Sequence, residues 1–165
     1  MAEDPVPDLE ESKESSSNEL IPIAVKILEV ILAIFAIGLI VDPFNSFHRI
    51  GTKTLMKLDD VGIIYVPIAG YILINMILIV GYLMGDRIPK KTAVLFPAIG
   101  AFLFVVAGSV IVHNWRKFRG NYVDVTNNAT FPSKQYMDML ISGAVFVFVD
   151  AAVFAVDVYI THQYL

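Results

Sequence analysis

The residues of this chain that are able to do chemistry lie inside apolar segments. Asp150 and Asp157 stand seven residues apart in the last such segment, Met139 to Ile160, which otherwise consists mainly of Leu, Ile, Val, Phe and Ala. Seven residues make about two helical turns, so both carboxyls project from one stripe of a helix, with Gly143 one heptad earlier. A charged side chain at the bilayer centre costs roughly 2.5–3.5 kcal/mol, so such groups usually face protein or a water-filled cavity. The stripe is therefore predicted to be buried against another helix.

Polar side chains of two other apolar segments are predicted to lie at related depths. Lys26 and Glu29 are three residues apart on the first segment, so they share a helix face and form a local ion pair. The fourth segment returns to the side from which the first one starts, which places Asp157 near Lys26 and Asp150 nearer Glu29. Asn75 of the second segment belongs to the same layer. We call Lys26, Glu29, Asn75, Asp150 and Asp157 the polar seam.

One lysine cannot neutralise the three acids of the polar seam. Either a carboxyl is protonated in place, or a polar or basic group of a partner reaches it, or water enters from one side. The favoured interpretation is a buried polar network that fixes the rotation and register of the helices. The alternative is a proton or cation relay, which is disfavoured because the third segment adds no ionisable group before His113 at its end.

Composition and segment length together predict the fold class. Of the 165 residues, 56% are hydrophobic, and the mean hydropathy is +0.67. Four apolar segments are close to the roughly 20 residues that a helix needs to cross a bilayer. They run over residues 20–41, 61–84, 92–113 and 139–160. The sequence therefore predicts an all-α, integral membrane four-helix bundle that occupies residues 20–165.

Residues 1–19 differ sharply in composition from the rest of the chain. They include seven acidic residues and four serines, with few bulky apolar side chains. Such a stretch cannot bury enough apolar surface to offset the entropy lost on ordering. We predict a disordered acidic cytoplasmic tail.

The basic residues give conflicting signals about orientation. The short loop after the second segment contains Arg87, Lys90 and Lys91, which favours a cytoplasmic position for that loop and for both termini. The other two loops together contain more basic residues, which favours the opposite orientation. The sequence Asn128-Ala129-Thr130 is an N-glycosylation motif that functions only in a lumenal loop, so Asn128 is a possible glycosylation site. We predict that both termini are cytoplasmic.

Small residues predict where helices approach closely. Membrane helices associate through close backbone contact, which Gly and Ala permit. Ala151 and Ala155 form a small-x-x-x-small pair in the fourth segment, and Gly100 and Gly108 give the third segment a smooth face. With Gly143, these residues are the predicted helix-packing positions.

The sequence gives little support to an enzyme. It contains no cysteine, which excludes disulfides and thiolate chemistry, and its three histidines are scattered without metal-ligand spacing. No phosphate-binding glycine loop or nucleophile motif is found, and no basic stripe with interleaved aromatic residues suggests nucleic acid. We predict no catalytic, cofactor-binding or metal-binding residues, no cofactor, no nucleic-acid partner and no small-molecule substrate.

The layout resembles that of MARVEL-like four-span membrane proteins, and more narrowly that of the insect snakeskin-type proteins of smooth septate junctions. The resemblance rests on three segments: Ala24-Val25-Lys26-Ile27-Leu28, Ala107-Gly108-Ser109-Val110-Ile111-Val112-His113-Asn114-Trp115, and Ser142-Gly143 through Val149-Asp150. The long acidic N-terminal segment departs from the very short N-terminus expected of the snakeskin type. The resemblance implies a non-enzymatic protein of epithelial cell contacts that helps to form a barrier to solutes.

Three functions therefore stay open. The first is a multi-pass membrane scaffold at cell–cell junctions, in the plasma membrane at lateral contacts, whose partners are the lipid bilayer and other integral membrane proteins or further copies of itself. The second is a small channel, transporter or proton-pump accessory subunit that uses Glu29, Asp150 and Asp157. The third is a vesicle-trafficking MARVEL protein.

Overall fold

The computed structural model describes residues 8–50, 58–85, 89–120 and 134–164. Four helices account for nearly all of them: α1 (Asp8–Ile50), α2 (Leu58–Leu83), α3 (Lys90–Gly120) and α4 (Lys134–Tyr164). No strand occurs within these ranges. The prediction of an all-α four-helix bundle is confirmed.

Each helix contains a segment that is long and apolar enough to cross a membrane. These segments are Ile21–Pro43, Leu58–Leu83, Lys90–Lys117 and Lys134–Gln163. They contain the predicted spans or overlap them closely, and the last two extend beyond them at both ends. The additional residues are mostly polar and continue the helical hydrogen bonding beyond the apolar stretch.

The helix α1 begins earlier than expected. The sequence predicts a disordered tail over residues 1–19, whereas the backbone is helical from Asp8 onward. Acidic residues are favourable in the first turns of a helix because the backbone N–H groups there carry partial positive charge. Residues 1–7 lie outside the described part of the chain, and the division of the chain at residue 19 stays a prediction.

The connection between α2 and α3 is marked by a glycine and a proline. Gly85 has a φ of 81°, a left-handed conformation that glycine adopts without steric cost, and its N–H donates to the carbonyl of Tyr82. Pro89 directly precedes α3, and its carbonyl accepts from the N–H of Ala93. Proline is well suited to a helix start because its missing N–H would have no partner there.

The four helices form a ring in chain order. α4 packs against α1 and α3, and α2 packs against the same two helices, with its contact to α3 the least extensive. Within the described ranges, neither diagonal pair, α1 with α3 or α2 with α4, has close backbone contacts. The centre of the ring is therefore filled by side chains from all four helices.

Two contacts fix the antiparallel register of α1 and α4. Lys26 reaches Asp157, and Gly143 lies against Ile40, so that a Cβ at Gly143 would be 2.7 Å from Ile40 Cγ1. Ile40 lies two heptads after Lys26, and Gly143 lies two heptads before Asp157. We call the end of the bundle near Lys26 and Gln163 the Lys26 end, and the end near Pro43 and Lys134 the opposite end.

Three aromatic rings fill the centre of the bundle beside the polar seam. Tyr71, Phe104 and Phe154 lie with ring centroids 5.0–5.9 Å apart in edge-on or tilted contacts. Tyr71 also donates its hydroxyl hydrogen to the carbonyl of Phe96, at 3.0 Å. Gly100 leaves the space for these rings, because a Cβ there would lie 2.8 Å from Tyr71 Cε1 and 3.0 Å from Phe154 Cδ1.

Gly100→Ala should destabilise the bundle. The added methyl group meets two rings, one of them held by its hydroxyl hydrogen bond, and overpacking of this kind typically costs about 1–3 kcal/mol. Gly38→Ala is the matched control, because a Cβ at Gly38 would have nothing within 4 Å. Thermal unfolding in mild detergent should show a lower midpoint for Gly100→Ala only. Equal midpoints for the two variants would contradict the close packing at Gly100.

Candidate functional site: a buried polar cluster

The structure buries every residue of the polar seam. Lys26, Glu29, Asn75, Asp150 and Asp157 are each no more than 3% exposed. They come from α1, α2 and α4, whereas α3 supplies none of them. Because each span is surrounded by lipid in a membrane, polar groups inside the ring must find partners within the protein.

Lys26 is the centre of the cluster. Its ammonium group donates to Glu29 Oε2 at 3.2 Å, one turn along the same helix, and to Asp157 Oδ2 on α4. Its Nζ also lies 5.9 Å from the centroid of the Phe154 ring, within cation–π range. A single cation thus joins two carboxylates and ties α1 to α4.

Two neutral side chains donate hydrogen bonds to the carboxylates of the cluster. Asn75 Nδ2 donates to Glu29 Oε2 at 2.9 Å, which links α2 to α1. Thr161 Oγ1 donates to Asp157 Oδ1 at 3.2 Å, one turn along α4. Asp157 therefore has a hydrogen-bond donor for each of its oxygens, and Glu29 has two donors on one oxygen.

Asp150 is not joined to this network. It is fully buried, yet neither of its carboxyl oxygens has a hydrogen-bond partner in the described part of the chain. Glu29 Oε1 and the side-chain nitrogen of Asn114 are likewise buried without a partner among these residues. The structure therefore brings four of the five seam residues into direct contact and leaves Asp150 separate.

The charges of the cluster do not balance within the bundle. Three carboxyl groups lie near one ammonium group, and the oxygens without partners belong to Glu29 and Asp150. When a carboxyl group is ionised, its oxygens have no hydrogen to donate, so they accept hydrogen bonds or coordinate cations. No group of three or more His, Asp or Glu side chains able to hold a metal ion occurs in the ranges that the structure describes. The arrangement is therefore suited to binding a small cation.

The predicted packing residues have different surroundings. Gly108 lies against the ring of Phe148, and Gly143 lies against Ile40 and the carbonyl of Ala36. Ala151 is buried, whereas Ala155 is exposed. A shallow groove between α3 and α4 on the outer surface is lined by Ala101, Phe102, Val105, Phe148, Ala152 and Ala155. The glycosylation motif at Asn128 lies outside the described residues.

Sequence reasoning missed three polar residues of the interior. Thr161 lies one turn after Asp157, so the i to i+4 spacing was a usable signal. Asn114 is 1% exposed near the end of α3, just beyond the predicted third span. The hydrogen bond of Tyr71 with the carbonyl of Phe96 has no sequence signal, because it joins two helices whose register is fixed only by packing.

The comparisons with known proteins do not name a family. No family model matches the chain, and neither the curated proteins nor the solved structures gave a match. The resemblance to MARVEL-like and snakeskin-type proteins therefore stays a prediction that rests on the sequence segments.

Lys26→Met should destabilise the bundle strongly. Removal of one partner leaves buried carboxylates without their cation, and breaking a buried pair in this way typically costs about 3–5 kcal/mol. The double variant Lys26→Met/Asp157→Leu should regain part of the loss, because no uncompensated partner then remains at position 157. Unfolding of the wild type, both single variants and the double variant gives the coupling energy. Lys90→Met, at an exposed position, is the control. Additive effects of the two changes would show that the pair is not coupled.

Proposed function

We propose that this protein is a non-enzymatic multi-pass membrane scaffold that assembles laterally with other integral membrane proteins or with copies of itself. The observation that supports this proposal best is the hydrogen-bonded polar network that joins three helices. Lys26 joins Glu29 and Asp157, and Asn75 joins Glu29, so three helices are held in one rotation and register. A bundle fixed in this way presents constant outer faces to its neighbours, which is what lateral assembly requires.

The outer faces are apolar and extensive. Large side chains on α2 and α3 are strongly exposed, among them Val66 at 72%, Ile77 at 70% and Phe102 at 68%. In a membrane these faces contact lipid or other helices. Association between membrane helices depends on shape and close packing, since lipid is as apolar as the side chains themselves. A scaffold with rigid apolar faces therefore selects its partners by shape.

The sequence resemblance suggests where such a scaffold acts. Snakeskin-type proteins belong to smooth septate junctions, so we propose the plasma membrane at lateral contacts between epithelial cells, with a role in the barrier to solutes. Both termini are proposed to be cytoplasmic.

Asp150 is the specific observation that favours a second candidate, a small channel, transporter or proton-pump accessory subunit. A fully buried carboxyl group without a donor in the described part of the chain is unusual in a structure whose only task is to be rigid. The interior also contains Glu29 and Asp157, the other two acids that such a conduit would use.

Co-purification from native epithelial membranes in mild detergent tests the scaffold proposal. We expect recovery of the protein with other integral membrane proteins of the junction, and immunostaining of the same epithelium should place it at lateral contacts. Recovery alone, or with pump subunits on an apical or internal membrane, would overturn the proposal.

Asp150→Asn separates the two candidates in the same system. Because Asp150 is fully buried, a scaffold should keep its location and pass no ions with either residue. A conduit should show proton or cation flux in liposomes with the wild-type protein and lose it in Asp150→Asn. Asp138→Asn, at an exposed position of the same helix, is the matched control.

The proposed orientation predicts a simple labelling pattern. The chain has no cysteine, so a single introduced cysteine is the only thiol. Lys134→Cys at the opposite end should react with an impermeant maleimide on intact cells, whereas Lys91→Cys should react only after permeabilisation. Both positions are exposed. The reverse pattern would place both termini outside the cytoplasm.

A further inference from the structure

Asp150 is a buried carboxyl group that the proposed scaffold does not use. It is 0% exposed, and neither oxygen has a hydrogen-bond partner within the described ranges. A side chain from a partner protein has no access to a fully buried group in the centre of the bundle. Whatever balances the charge of Asp150 must therefore be small enough to enter the bundle itself.

The register of α1 and α4 shows what faces Asp150. Lys26 opposes Asp157, and Ile40 opposes Gly143. Midway between these two contacts, the same register places Ala33 opposite Asp150. Ala33 is buried and has only a methyl side chain, so α1 offers no side-chain donor at this level.

The charged groups closest in effect to Asp150 both belong to the facing helix, α1. They are Glu29 and Lys26. Asp157 lies seven residues further along α4, a rise of about 10.5 Å. On the other neighbour of α4, helix α3, residues 92–112 contain no ionisable side chain. Lys26 already donates to Glu29 and Asp157, so it is engaged away from Asp150.

The count of charges requires additional positive charge. With all three carboxyls ionised and Lys26 protonated, the interior would carry a net charge of −2, and an unpaired ion inside a low-dielectric environment is very costly. The unpartnered oxygens are Glu29 Oε1 and both oxygens of Asp150. These oxygens, from α1 and α4, are the buried acceptors that remain for a small cation, and one monovalent cation reduces the net charge to −1.

In the described part of α1 and α4, polar side chains lead from this site toward the Lys26 end. Thr161, Asp157, Lys26 and Glu29 extend inward to about one helical turn from the level of Asp150. Beyond Asp150, the facing side chains of α4 and α1 are apolar: Val147, Ala144, Leu140, Ala36 and Ile40. About 24 Å of helix separates Asp150 from the start of α4 at Lys134. Toward the opposite end, the buried polar side chain in the described ranges is that of Asn114 on α3, which carries no charge. A cation that enters from the Lys26 end therefore meets no buried charged group beyond Asp150 in the described interior.

We propose that Glu29 and Asp150 form a binding site for one small monovalent cation, a proton or a sodium ion, which enters and leaves at the Lys26 end and does not cross the membrane. The site goes beyond the scaffold function and does not depend on it. The fraction of bundles with a bound cation then depends on the proton or sodium concentration on one side of the membrane.

Infrared difference spectroscopy and thermal unfolding in lipid nanodiscs test the site. For a proton, the wild type should show a protonated-carboxyl band that is absent in Asp150→Asn and retained in Asp138→Asn, whose position is exposed. For sodium, the unfolding midpoint of the wild type should rise in sodium chloride compared with choline chloride at equal ionic strength, and this difference should vanish in Asp150→Asn. Either result supports the site and identifies the cation. The absence of both would overturn it.

Ala33→Ser provides a second variant that adds a single oxygen atom. According to the register of α1 and α4, its hydroxyl faces Asp150 and can donate to the carboxylate. Because such a hydrogen bond stabilises the ionised form, proton binding should weaken about tenfold or more. This measurement stands even if Asp150→Asn fails to fold. An unchanged proton affinity in Ala33→Ser, together with an unchanged sodium response, would contradict the placement of the site.

Flux measurements in liposomes test the one-sided access separately. We expect no proton or sodium flux with the wild type. Flux that is lost in Asp150→Asn would overturn the one-sided site and favour a conduit. This failure is distinct from failure of the scaffold proposal, which is decided by partners and location in native membranes.

Discussion

The pairing of Lys26 with Glu29 and Asp157 is the constraint on which the arrangement of this bundle depends. An ammonium group inside a lipid-surrounded bundle needs acceptors from the protein, and those acceptors lie on two different helices. Their geometry fixes the rotation of α1 and the axial position of α4. Asn75 then brings α2 to the same carboxylate. The helix α3 makes no contact of this kind. It is held by close packing of other helices against Gly100 and Gly108 and by the hydrogen bond that its Phe96 carbonyl accepts from Tyr71.

Because lipid provides no hydrophobic driving force between helices, packing and polar contacts share the task of holding the ring together. The two kinds of contact are only partly separated along the bundle axis. Toward the Lys26 end, the hydrogen-bonded cluster lies beside the rings of Tyr71 and Phe154, against which Gly100 packs. Toward the opposite end, α1 and α4 meet through small and apolar residues, such as Gly143 against Ile40. Polar contacts and close packing therefore act together at one end, and close packing joins α1 and α4 at the other.

Much of the fold was predictable because the bilayer restricts the possible structures. Apolar segments of spanning length predict helices directly, and the carboxyls at 150 and 157 indicate a buried stripe. The spacing of Lys26 and Glu29 predicted their contact, and antiparallel neighbours predicted the proximity of Asp157. The separation of Asp150 from the network was not predictable, since it depends on the axial register of α1 and α4 and on the alanine at position 33. The helical start at Asp8 was missed because composition alone does not account for the continuation of a helix that is already nucleated by a membrane span.

The placement of the hydrogen-bonded cluster near one end also has a mechanical consequence. At the Lys26 end, hydrogen bonds join α1 to α2 and α4, and the hydrogen bond from Tyr71 joins α2 to α3. Within the described residues, the facing side chains of α1 and α4 at the opposite end are apolar. Apolar contacts in a bilayer can be exchanged for contacts with lipid chains at little net cost, but the ion pairs cannot. Lateral pressure or a change in membrane thickness should therefore separate α1 and α4 at the opposite end, while the hydrogen-bonded Lys26 end keeps its arrangement.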